Sequence, residues 1–144
     1  MASATSQQTK WVGAIHEGVP CRRKDLDACI KFYQEVLCLK LLPRPSAKFD
    51  EIMGYSPSGA WLGDEDNKVQ FHLIATDDEW VPGPDAARSP TSRHTAWMVQ
   101  DLETLRARLR ERGVKYSQLD GVVNSDQVFV QDPSGFTWEF QEPR

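Results

Sequence analysis

The chain has 144 residues, 17 lysines and arginines against 21 aspartates and glutamates, a net charge of −4, and 40% hydrophobic residues. That is enough for one domain with a true core and no need of a disulfide or structural metal, since chains of about 150 residues bury roughly 68–70% of the surface they expose when unfolded. The mild acidity excludes the basic surface of a nucleic-acid-binding protein, and no apolar stretch approaches the roughly 20 residues that span a membrane.

In chain order, residues 1–10 are polar, lack the apolar core of a signal peptide, and read as a disordered tail on a cytoplasmic protein. Residues 11–144 read as a single domain. Residues 12–21 have strand character and lead into KDLDACIKFYQEVL, an amphipathic helix opened by Asp25 as N-cap with an acidic residue in its first turn. Strands are expected over 40–43, near 52–55, and over 60–62 and 69–75. Clusters of Pro, Gly, Asp and Ser separate the later ones. The longest irregular stretch, 76–92, is of a length that marks a linker or a functional loop, with Trp80 expected to anchor it. The design then repeats. Residues 93–100 read as a strand, QDLETLRARLRERG as a helix capped by Asp101, and 115–118, 127–131 and 136–141 as strands. Arg106 to Arg112 alternate with leucines and read as the solvated face of that helix. The chain is therefore α+β, two βαβββ modules at about 11–76 and 92–143 forming a cupped mixed sheet with helices on its outer face.

The three cysteines, Cys21, Cys29 and Cys38, are odd in number and lack CxxC spacing, so neither a disulfide framework nor a zinc knuckle is indicated. Cys29, inside the helical pattern, and Cys38, beside leucines, are expected to be buried small hydrophobes.

The histidines carry more. There are three: His16 on the first strand of the first module, His72 on its last, and His94 on the first strand of the second module. The last strand of the second module carries Glu139 where a fourth histidine would stand. Side chains alternate across a strand. If Phe71 and Leu73 pack on a helix, His72 and Ile74 face the other way; if Trp138 and Phe140 do so, Glu139 and Gln141 face away. His94, Ala96 and Met98 likewise share the face opposite Thr95, Trp97 and Val99. All four ligand-type residues can then line one concave surface, where neutral imidazoles and a carboxylate suit a divalent first-row ion.

The ordered set of Ile15-His16, the helix from Asp25 through Val36-Leu37, Gly59-Ala60-Trp61-Leu62-Gly63, Phe71-His72-Leu73-Ile74, His94 before Asp101-Leu102, and Asp132-Pro133-Ser134-Gly135 leading to Glu139 resembles the vicinal oxygen chelate superfamily. That superfamily includes glyoxalases, fosfomycin-resistance enzymes, bleomycin-resistance proteins and extradiol dioxygenases. The resemblance implies a cupped sheet around one divalent metal, Zn, Ni, Co, Mn or Fe, with His16, His72, His94 and Glu139 as ligands. Two departures stand out. Cys38 occupies a turn position where the family usually has glycine. The spacing from His16 to Asp25 is also two residues longer than that from His94 to Asp101, which leaves either His16 or the level of Gly18 to supply the first ligand.

A ligand at His72 points to a glyoxalase-like lyase or isomerase acting on a small substrate with vicinal oxygens, with Glu139 as both ligand and general base. Ile74 and Met98 would wall the substrate. The rival readings are an Fe(II) ring-cleaving dioxygenase, a fosfomycin-type thiol transferase and a metal-free bleomycin-resistance-type binder. Small members of the superfamily imply a homodimer, with the metal site either within one chain or shared across two. Neither nucleic acid nor membrane is an expected partner.

Overall fold

The computed structural model describes residues 16–43, 48–77, 94–122 and 125–143. The tail 1–10, the start of the first predicted strand, Trp80 and most of the stretch 76–92 lie outside the described residues.

Strand β1 (Glu17–Arg22) runs through a 3-10 turn (Arg23–Asp25) into α1 (Leu26–Glu35). Strand β2 (Lys40–Leu42), helix α2 (Lys48–Met53), and strands β3 (Gly59–Gly63) and β4 (Gln70–Thr76) complete the first module. The second comprises β5 (His94–Met98), α3 (Leu102–Glu111), β6 (Tyr116–Val122), β7 (Ser125–Gln131) and β8 (Thr137–Pro143). The sheets have matching orders, β1-β4-β3-β2 and β5-β8-β7-β6. In each, the first and last strands pair in parallel and the others antiparallel. Two βαβββ modules are thus present.

Three local expectations are corrected. The stretch near 52–55 does not form a strand, because α2 runs to Met53 and a turn follows it. Gly54, at φ +77, stops that helix with its N–H bonded to the Asp50 carbonyl at 2.8 Å, and the Asp50 carboxylate holds the Ser58 N–H and the Ser56 hydroxyl, both at 2.8 Å. Asp101 caps α3 by accepting from the Thr104 N–H at 3.1 Å. Asp25 sits at the N-cap of α1 without such a bond, since the 3-10 turn already leads the chain into the helix. Cys38 is exposed, not buried. It adopts φ +58, a left-handed conformation that costs a non-glycine residue roughly 1–2 kcal/mol, and so keeps the turn after α1 in the shape that a glycine would favour. Cys21 and Cys29 are buried.

The basic residues of α3 are bonded within the chain. Arg106 pairs with Asp120, Arg110 with Glu103 and Arg112 with Glu35, while Arg108 donates to the Val36 carbonyl at 2.9 Å. No described helix is long and apolar enough to cross a membrane.

Strand parity distributes the core as the alternation predicts: Phe71, Leu73, Trp138 and Phe140 are buried, together with the inner faces of α1 and α3. A single apolar cluster draws on both modules. Phe71 meets Trp97 and Trp138 with ring centroids at 5.5 and 5.2 Å, and Thr95 donates to Glu17 at 3.2 Å. Every one of these side chains belongs to the core-facing parity of its strand. The two modules therefore share one core along the core-facing side of their strands.

A buried polar network pins this seam. The Tyr33 hydroxyl donates to Asp132 at 2.9 Å and accepts from the Trp138 indole N–H at 3.0 Å. Asp132 also accepts the N–H groups of Ser134 and Phe136, each at 3.0 Å, and the Ser134 hydroxyl lies 3.3 Å from the Cys29 sulfur. Burial pushes the Asp132 carboxyl up to about 6 against the lowering effect of these donors. Burial and the nearby Asp132 likewise push the Tyr33 hydroxyl up. A hydrogen bond with Cys21, followed by burial, raises the Cys29 thiol far out of the reactive range.

Candidate metal centre

The register of the two sheets places the ligand-type residues at equivalent positions. Glu139 on β8 pairs with Ala96 on β5, and His94 lies two residues before that partner. His72 on β4 pairs with Gly18 on β1, and His16 lies two residues before Gly18. His16 is therefore the counterpart of His94, and Gly18 that of Ala96. The two extra residues between His16 and Asp25 lengthen the far end of the strand: β1 runs to Arg22, six residues past His16, and β5 to Met98, four past His94, with three residues before the helix in each module.

In the first module His16 and His72 approach with ring centroids 5.9 Å apart. Trp61, the cross-strand partner of His72, stacks on it at 4.4 Å and 13° and meets His16 edge-on at 4.7 Å. In the second module the His94 Nε2 lies 2.7 Å from the Glu139 Oε2. The other carboxylate oxygen, Oε1, accepts from the Gln127 amide at 2.7 Å and from the Gln141 amide. Phe129, opposite Glu139 on β7, presents its ring to His94 at 5.6 Å. The Glu139 side chain is only 5% exposed against 22% for His94, so the carboxylate is the more buried of the pair.

These donors suit a divalent ion. A ring nitrogen at about 2.1 Å from a metal puts its ring centroid about 3.2 Å away, so two imidazoles on one ion have centroids at most about 6.4 Å apart. His16 and His72 meet that limit. Among the described residues no group of three or more His, Cys, Asp or Glu side chains lies close enough together to hold an ion, so His16–His72 and His94–Glu139 stand as two pairs.

Ile74, half-buried, follows His72 by two residues on the same face, and Met98, 75% exposed, follows Ala96 on the face of His94. A cavity of ≈ 300 Å³ opens elsewhere, on the core side of the seam between Leu37, Leu39, Phe71, Trp97 and Phe140. Sequence reading did not single out Trp61, Phe129 or Gln127 as site residues. The alternation of Gln127, Phe129 and Gln131 with the buried Val128 and Val130 was the available signal for β7.

Comparison with known proteins agrees with this architecture. The Glyoxalase/Bleomycin resistance protein/Dioxygenase superfamily matches residues 18–140. The chain belongs to that superfamily. It is 30% identical over 128 residues to a protein named glyoxylase I 4 from Arabidopsis thaliana, covering 86% of this chain and 67% of the relative. It is 33% identical over 122 residues to a lactoylglutathione lyase from Haemophilus influenzae, covering 82% and 84%. A glyoxalase-family protein from Bacillus anthracis has the same fold, with a TM-score of 0.74 at 17% identity over 95% of this chain and 100% of that one. So does a fosfomycin resistance protein, FosX, from Listeria monocytogenes, solved with Mn(II) and a dihydroxypropylphosphonic acid, with a TM-score of 0.67 at 14% identity over 94% and 95%.

Proposed function

We propose that this superfamily member is a metal-dependent lyase or isomerase of glyoxalase type, which moves a proton beside the carbonyl of a small substrate bearing vicinal oxygens. The observation that carries the reading is the His94–Glu139 pair, at 2.7 Å, at the positions equivalent to His16–His72 in the sister sheet. His16, His72, His94 and Glu139 would hold one divalent ion, Zn, Ni, Co, Mn or Fe. Bound there, the ion would serve as a Lewis acid toward the substrate oxygens. Glu139 is the general base: its Oε2, the oxygen not held by the glutamine amides, takes the proton and returns it. Ile74 and Met98 form the apolar wall, and Trp61 holds the His72 ring in orientation by stacking.

Because no third ligand-type side chain joins either pair among the described residues, a second copy of the chain is proposed to complete each one. In the homodimer the His16–His72 face of one protomer meets the His94–Glu139 face of its partner, giving two equivalent sites related by the two-fold axis. The high exposure of Met98 in the single chain is what such an uncovered face would show. The names of the two curated relatives support a lyase reading.

The test is elemental analysis of the purified protein beside a His72→Ala variant, followed by assay with α-oxoaldehyde and hemithioacetal substrates. About one metal per chain in the parent, strongly reduced in the variant, is expected for this ligand set. A parent that takes up no divalent metal after reloading would overturn the proposal.

A further inference from the structure

The half-site with the carboxylate carries a pair of amide donors around its ligand. Beside Glu139, the cross-strand pair Gln127 and Gln141 sends two amide N–H groups to the same carboxylate oxygen, Oε1. The corresponding pair beside His72 is Gly59 and Ile74, which has no side-chain donor. The neighbouring aromatic, by contrast, is present in both halves, as Phe129 and Trp61. The donors have therefore been added where the carboxylate is. Gln127 is 7% exposed, and burying an amide on a sheet face turned away from the apolar core is costly unless it is bonded. Its bond to Glu139 offsets that cost. The Ser125 hydroxyl donates to the Gln141 side-chain oxygen Oε1 at 3.5 Å, which leaves the N–H₂ end of that second amide facing Glu139.

We propose that Gln127 and Gln141 are positioning residues for Glu139: their amides hold Oε1 and leave Oε2 as the single oxygen offered to the metal and to the substrate proton. This rests on the ligand role proposed above for Glu139. A carboxylate free to rotate would present either oxygen and would exchange one- and two-oxygen contacts with an ion. Clamped through Oε1, it keeps one oxygen directed at the half-site. The arrangement also divides labour between the modules. The clamped carboxylate beside His94 handles the proton, while the half-site with Trp61 and Ile74 receives the body of the substrate.

The test uses the full-length chain and Co(II) as probe, with Gln127→Met and Gln141→Met made singly and together, since methionine matches glutamine in length and lacks the donor. Affinity is read by chelator competition, coordination by the visible absorption of bound Co(II), and folding by the Tm of the metal-free protein. Loss of both amides is expected to weaken Co(II) binding by about 10–100-fold, the range found when partners of metal ligands are removed, to shift the absorption spectrum, and to lower kcat with little change in KM, leaving the metal-free Tm close to that of the parent. Should Gln127→Met fail to fold, Gln141→Met, at a half-exposed position, carries the test by itself. Co(II) affinity within twofold of the parent and an unchanged spectrum in the variants that fold would overturn the clamp alone. A parent that binds no Co(II) would overturn the ligand role of Glu139, and the clamp with it.

Discussion

The seam between the modules makes stability depend on pH in a calculable way. Asp132 is almost wholly buried, and burial raises its carboxyl from the ordinary 3.8 to about 6 even though Tyr33 and three backbone N–H groups favour the charged form. The folded state therefore holds the proton more tightly than the unfolded chain does. Stability from this group is fully present below pH ~4 and is lost as pH rises through about 6. At about 1.4 kcal/mol per tenfold change, the loss is about 3 kcal/mol. In Asp132→Asn the side chain keeps its acceptor for the Ser134 and Phe136 N–H groups, and the Tyr33 hydroxyl can turn to accept from the new amide, so packing is retained while the titration disappears. Urea unfolding of parent and variant at pH 4 and pH 7.5 isolates the effect from the other carboxylates, which both proteins share. The variant should gain about 2.4 kcal/mol relative to the parent between the two pH values, or about 5–10 °C in relative Tm. A difference between the two proteins that is constant to within about 0.5 kcal/mol across that range would refute the reasoning.

Other perturbations follow from the same coordinates. Tyr33→Phe removes the donor to Asp132 Oδ2 and the acceptor for the Trp138 indole N–H, and leaving those two buried atoms without this partner should cost about 2–4 kcal/mol in denaturant unfolding; a loss under about 0.5 kcal/mol would show that water replaces the hydroxyl. Gly59→Ala would set a Cβ 1.9 Å from the Leu73 carbonyl oxygen. Because backbone atoms of β4 cannot yield without distorting the strand that bears His72, a loss of about 3 kcal/mol or insoluble protein is expected, and wild-type stability would contradict the register of β3. Met98→Asp places a charge on the outward face of β5 and should convert a dimer to monomer by light scattering, with loss of bound metal; a metal-loaded dimer would count against the shared face.

Much of the fold was legible because alternation is a strict geometric rule. Phe71 and Leu73 announced the core face of β4, and so assigned His72 to the other side before any contact was known. The same logic placed Glu139 opposite Trp138 and Phe140. Helix α2 was not legible: six residues carry too little periodicity, and the stop at Gly54 acts through a backbone bond to Asp50. The exposure of Cys38 was hidden for a similar reason, since its left-handed φ is a property of the turn and neighbouring leucines suggested burial. Whether the two ligand pairs close on one ion within a chain or across two was not legible either. Parity says which face of a strand a residue occupies, whereas the relation between two sheets depends on how Tyr33, Phe71, Trp97 and Trp138 pack across the seam. Gln127 was missed because its partner is diagonal across two strands, and a polar residue on a strand's outward face is ordinarily just solvated.

The most direct measurement is the metal content of protein made by co-expressing His72→Ala and Glu139→Gln chains in equal amounts. Each variant alone should retain little metal. In the mixture, random pairing makes about half of the dimers mixed, and each mixed dimer joins one intact His16–His72 face to one intact His94–Glu139 face, restoring about one quarter of the wild-type metal. Metal and activity recovering together to about that level would establish four ligands shared between two protomers. Full metal retention in either single variant would contradict the ligand set, and a mixture as empty as its parents would contradict the shared site.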